Sequence, residues 1–129
     1  MIHHYRNLNL RNPDGSGRGE VRHVSATVSR IFPDRYDHDG AEHQHVWIDQ
    51  LHALDGGSDY AGNVFVAIRI TEGGIGRDIP FNEGRPVEMK GDWIPADQAT
   101  AGEDDPNLPI LHFTHRPVGF VRYEGTEYD

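Results

Sequence analysis

Ile79-Pro80-Phe81-Asn82-Glu83-Gly84-Arg85-Pro86-Val87-Glu88-Met89-Lys90-Gly91-Asp92-Trp93 decides the fold. An apolar anchor leads into a turn at Glu83-Gly84, Val87 and Met89 then share one parity of an extended strand, and Gly91 marks the point where that strand bends. A strand entered through a Gly turn and bent at an interior Gly is what the corner of a small closed barrel needs. The flanking segments agree. From Glu20 to Phe32, Val24, Ala26 and Val28 alternate with His23, Ser25, Thr27 and Ser29, the pattern of a long half-buried strand that Pro33-Asp34 stops. Asn63 to Ile70 is nearly continuous in apolar residues, as expected of a strand covered on both sides.

Between these lies Glu42-His43-Gln44-His45-Val46-Trp47-Ile48-Asp49-Gln50, the densest alternating stretch in the chain. Read with a period of two, Gln44, Val46 and Ile48 point to the core, while His43, His45, Trp47 and Asp49 point outward. The outward row of two imidazoles, an indole and a carboxylate is chemistry that a purely structural strand does not require. Ile110 to His115 reads as a further strand carrying His112 and His115, which are three apart and so face opposite ways unless a bulge intervenes. Val118 to Gly125 closes the chain with a short strand or hairpin. Asp37-His38-Asp39-Gly40 and Asp55-Gly56-Gly57 are turns, and Asp97 to Pro109 is an acidic, solvated loop.

Composition narrows the classes. The chain has 129 residues, 15 Gly and 8 Pro, with no window showing a sustained helical stripe, so the expectation is an all-β domain. The absence of Cys removes disulfides, thiolate zinc sites and cysteine nucleophiles, and it fits a reducing compartment. No apolar run is long enough to span a membrane or to act as a leader, which points to a cytoplasmic protein unless a leader has been removed. Net charge is −9, which counts against a polyanion partner, yet the charge is polarised. Residues 1 to 35 are net +3 and residues 36 to 105 net −11, and eleven of the twelve basic groups are the forked, planar guanidinium of Arg. Gly73-Gly74-Ile75-Gly76 is followed by neither Lys-Ser/Thr nor a helix, so it is no nucleotide fingerprint.

Five principal strands with long second and fourth loops are most economically a five-stranded Greek-key barrel of the OB type, with a β-sandwich or an SH3-like barrel as the alternative. Residues 1–18 read as an N-terminal arm or linker and 19–129 as the barrel domain. The His43-Gln44 pair, the Ile79-Pro80…Gly84…Val87…Gly91-Asp92-Trp93 block, and the Leu111-His112-Phe113-Thr114-His115 run followed by Glu124-Gly125-Thr126-Glu127-Tyr128 resemble a family of small bacterial proteins of unknown function. That family is described as OB-fold and nucleic-acid binding. The resemblance covers roughly residues 20 to 128.

Two functional readings follow. In the first, the chain is a non-catalytic binder of single-stranded DNA or RNA, without a cofactor, which uses His43, His45, Trp47, Arg22, Arg69, Lys90, His112 and His115 for stacking and backbone contacts. In the second, His43 and His45 on one strand face, joined by His112 from a neighbour, hold Zn²⁺, either as a metal-binding protein or as a metal-dependent hydrolase. Homodimerisation through an exposed strand edge is compatible with both.

Overall fold

The computed structural model describes residues 20–99 and 104–129. The arm or linker expected at residues 1–18 lies outside the described residues. Among the described residues the strands are β1 (Glu20–Ile31), β2 (Arg35–Tyr36), β3 (Glu42–Ala53), β4 (Val64–Arg69), β5 (Pro86–Ile94), β6 (Ile110–His112), β7 (Phe120–Tyr123) and β8 (Thr126–Tyr128), with a 3₁₀ turn at Ala96–Gln98. β1 pairs with both β3 and β5, β3 pairs with β4, β4 with β6, and β6 with β5, which closes five strands into a ring. Every ladder of the ring is antiparallel except β4 with β6. This is the OB-type barrel expected from the sequence rather than the sandwich or SH3-like arrangement. β2 continues along the edge of β3, and β7 and β8 extend the sheet beyond β5. Among the described residues no helix is long and apolar enough to cross a membrane.

The interior follows the period of two. Val24, Ala26 and Val28 of β1, Val46 and Ile48 of β3, Val64, Val66 and Ile68 of β4, Val87 and Met89 of β5, and Leu111 of β6 form one buried cluster. Burying each Val or Ile contributes roughly 1.5–3 kcal/mol, so inner side chains like these outweigh the weak pairing preference of any one strand. β3 continues to Ala53 past Gln50, which adopts φ 54°. That left-handed residue resets the alternation, and Leu51 returns to the core.

A second apolar layer lies outside the barrel. Phe65 and Ala67 of β4, Ile94 of β5 and Ile110 of β6 pack there with Trp47, Ala99 and Leu108. Each strand contributes in register: Ile94 is opposite Ile110, Ile110 opposite Phe65, and Phe65 opposite Trp47. The segment after β5, expected to be a solvated acidic loop, therefore has its described parts folded down on the sheet. Asp104 and Asp105 are buried.

β6 is also shorter than the Ile110–His115 strand read from the sequence. His112 is opposite Asp92, and β7 resumes with Phe120 opposite Lys90, so residues 113–119 leave the ladder and rejoin it across Gly91 alone. Phe113, at φ 55°, starts the departure. The turn closes as Val118 and Gly119 donate to the His115 carbonyl at 3.0 and 2.8 Å. Glycine is required on both sides of the pinch. A Cβ on Gly91 would meet the His112 carbonyl oxygen, and one on Gly119 would fall inside the carbonyl of Lys90.

Candidate nucleic-acid interface

His43, His45 and Trp47 lie on the outer face of β3, opposite in parity to the buried Val46 and Ile48. The chain from the end of β1 into β2 runs antiparallel beside them, with Arg30 opposite Trp47 and Arg35 opposite His43. This placement builds a mixed stack. The Arg30 guanidinium lies 4.7 Å from the Phe32 ring and 5.3 Å from the Trp47 ring, and the two rings meet edge to face at 5.4 Å. A cation over two aromatic faces is favourable by roughly 0.5–2 kcal/mol per contact, depending on desolvation. The arrangement combines the two features that single-strand binding uses, a cation for phosphate and π-surface for bases.

At the other end of the same face, His43, Ala67, Arg69, His112, Phe113 and His115 line a cavity of about 230 Å³. The 113–119 excursion is what completes it. His112 and His115 would face opposite ways on a regular strand, and the turn at Phe113 brings both to one cavity. The His112 ring stacks on Phe113 with centroids 4.0 Å apart, and His115 meets the edge of Phe113 at 6.4 Å. His115 Nδ1 is 2.8 Å from the Arg116 carbonyl. A carbonyl only accepts, so Nδ1 carries a proton. Burial lowers the pKa of His43, with help from the nearby Arg69 and His115 and against the pull of Asp37. The His43 ring is therefore neutral near pH 7. Arg69 Nε donates to the Glu72 carbonyl at 3.0 Å, which holds the guanidinium beside the cavity.

Between these two ends the face is covered. His45 Nδ1 is 2.8 Å from Asp104 Oδ2, Arg35 donates to the same carboxylate through Nε at 2.9 Å and Nη2 at 3.1 Å, and the Trp47 indole N–H donates to the Asp104 carbonyl at 2.6 Å. Burial alone would raise the Asp104 carboxyl. The hydrogen bonds from Arg35 and His45 and their charges outweigh it and hold the pKa below the ordinary value. An ionised Asp104 fixes His45 as a donor through Nδ1–H. The outward parity expected for His43, His45 and Trp47 is thus observed, but their expected exposure is not: both imidazoles are buried and Trp47 is half-buried, with Asp104 bonded to His45 and Trp47 and with Ala99 and Leu108 packed in the cluster that Trp47 joins.

The remaining sequence candidates divide. His43, Arg69, His112 and His115 are brought together at the cavity, whereas Arg22 and Lys90 are placed elsewhere. The Arg22 guanidinium lies 4.7 Å from the Trp93 ring and pairs with Glu20 at 3.2 Å, and Lys90 stands in register between His23 and Phe120. Among the described residues, no group of three or more His, Asp or Glu side chains is arranged to hold a metal ion. For the expected trio of His43, His45 and His112, the physical reason on the His45 side is its bond to Asp104. A larger groove of about 770 Å³ runs along β1, β7 and β8, but its carboxylates are already paired. Arg122 bonds both Glu88 and Glu127, and Arg85 bonds Glu124. That leaves the groove no obvious cation for a polyanion.

Arg30, Phe32, Arg35 and Asp104 join the site without a sequence pattern that marks them. Arg30 and Phe32 continue the parity of the core-facing Val24, Ala26 and Val28, so the alternation alone directs them inward, and the register shift between Val28 and Arg30 is what turns them to the outer face. No protein-family model, no curated protein and no solved structure matches this chain, and the functional reading rests on the geometry.

Proposed function

We propose that this protein is a non-catalytic OB-type module that binds single-stranded DNA or RNA along the outer face of β3. The observation that carries this reading is the Arg30–Phe32–Trp47 stack, a guanidinium from β1 against two rings, one of them on β3, whose outer face also leads to the Arg69 cavity. In the proposed path a base stacks against Phe32 and Trp47, the backbone passes Arg30, and a second phosphate or base enters between Arg69 and Phe113. The imidazoles of His43, His112 and His115 supply hydrogen-bonding groups to that end. The acidic remainder of the protein limits the contact to a short stretch of strand and disfavours duplex DNA, whose charge density is higher. The lack of Cys supports a reducing, cytoplasmic setting.

Fluorescence anisotropy with a labelled oligo-dT of about twelve nucleotides at low salt tests this. With two arginines engaged, log K falls against log salt with a slope of about −1 to −2. Arg30→Ala and Arg69→Ala each weaken binding and each reduce the slope by about 0.7. No binding at low salt, or binding that neither variant alters, overturns the reading.

A further inference from the structure

Asp104 belongs to the segment after β5, but the groups that hold it come from other elements. Arg35 lies on β2, and His45 and Trp47 lie on β3. Their donors form a fork at 2.9 and 3.1 Å, an imidazole N–H at 2.8 Å, and an indole N–H at 2.6 Å to the carbonyl of the same residue. The planar fork of Arg matches two oxygens of a phosphate as well as two of a carboxylate. The site also sits midway along the proposed path. Trp47, His45 and His43 succeed one another on one face of β3, so Asp104 stands between the aromatic stack and the Arg69 cavity.

We propose that Arg35, His45 and the Trp47 indole form an anion-binding site that the chain fills with its own Asp104, and that a backbone phosphate of single-stranded nucleic acid displaces this internal occupant. The inference rests on the reading of the β3 face given above, and it assigns the step by which that face is uncovered. The exchange is close to balanced because Arg35 and His45 keep an anionic partner throughout. A buried ion pair contributes little net stability, whereas leaving one partner alone is costly. The free protein is accordingly held in a self-occupied state, and binding is weaker than the uncovered face would support.

The test compares the wild type with Asp104→Asn, which keeps the volume and an acceptor but removes the charge. Oligo-dT affinity rises about tenfold, the size expected from removing a competing charged hydrogen bond, while circular dichroism shows the same fold. Hydrogen exchange on the wild-type chain gives a second readout that needs no variant. The backbone amides of Asp104, Asp105, Asn107 and Leu108 exchange faster when oligo-dT is saturating. Wild-type binding with no gain in Asp104→Asn and no faster exchange of these amides overturns this inference and leaves the β3 reading standing. Absence of binding by both proteins overturns the two together. If Asp104→Asn fails to fold, the exchange measurement alone decides.

Discussion

Gln44 and Ile79 are joined by two hydrogen bonds: the Gln44 side-chain N–H donates to the Ile79 carbonyl at 2.8 Å, and the Ile79 N–H donates to Gln44 Oε1 at 2.8 Å. A primary amide offers one donor and one acceptor with the spacing of a backbone peptide, so Gln44 serves Ile79 as a strand partner would. Ile79 and Phe81 are thereby fixed in the core cluster. Gln44→Ala leaves both backbone groups of Ile79 to find new partners and lowers stability by about 1–3 kcal/mol. Urea unfolding checks it; an unchanged midpoint would show that water replaces the amide without loss.

The pinch between β5 and β7 gives a second expectation. Gly119→Ala puts a methyl group into the Lys90 carbonyl, and the backbone must separate there. The cost is about 1–3 kcal/mol. Because the same excursion carries His115 to the cavity, the variant also weakens oligo-dT binding. Full retention of both stability and binding would mean that the excursion is not held by close approach.

His43 gives stability a pH dependence of known sign. Its folded pKa is lowered, chiefly by burial, below the ordinary 6.5. Between the two values the unfolded chain holds more protons, so stability rises with pH across that window and the contribution is complete above 6.5. Asp104, also lowered, loses its contribution only at more acid pH. In urea unfolding from about pH 5 to 7.5 the stability of the wild type relative to His43→Gln should rise with pH, a comparison in which the opposing contribution of Asp34 cancels. Equal slopes would remove His43 as the source.

Asp34 acts in the opposite direction. Burial, then the hydrogen bond and charge of Glu42 and the charge of Asp78, raise its carboxyl to about 6. The folded state binds the proton more tightly, so this group's contribution is present below the ordinary 3.8 and is lost as pH rises through about 6. Asp34→Asn therefore melts higher than the wild type near neutral pH, and the gain shrinks on acidification. A lower melting temperature at neutral pH would contradict this.

The barrel was legible because its evidence is local. The alternation at Val24, Ala26 and Val28, the apolar run around Val66, and Gly91 at a bend each follow from sterics and burial within one strand. The outer face was legible only by parity. Which of its residues meet solvent depends on contacts far apart in sequence. Asp104, within a run of acids, reads as solvated surface until Arg35 and His45 are placed beside it. The joining of His112 and His115 was equally hidden. It turns on one left-handed residue, Phe113, whose side chain does not favour that conformation.

The most direct test of the β3 face is photocrosslinking of the full chain to a bromouracil-substituted single strand, with adducts mapped by mass spectrometry. Stacking on this face predicts adducts at Phe32, Trp47 or Phe113, reduced in Arg30→Ala. Adducts confined to the surface around His23 and Phe120, or none under conditions where the strand binds, would contradict it.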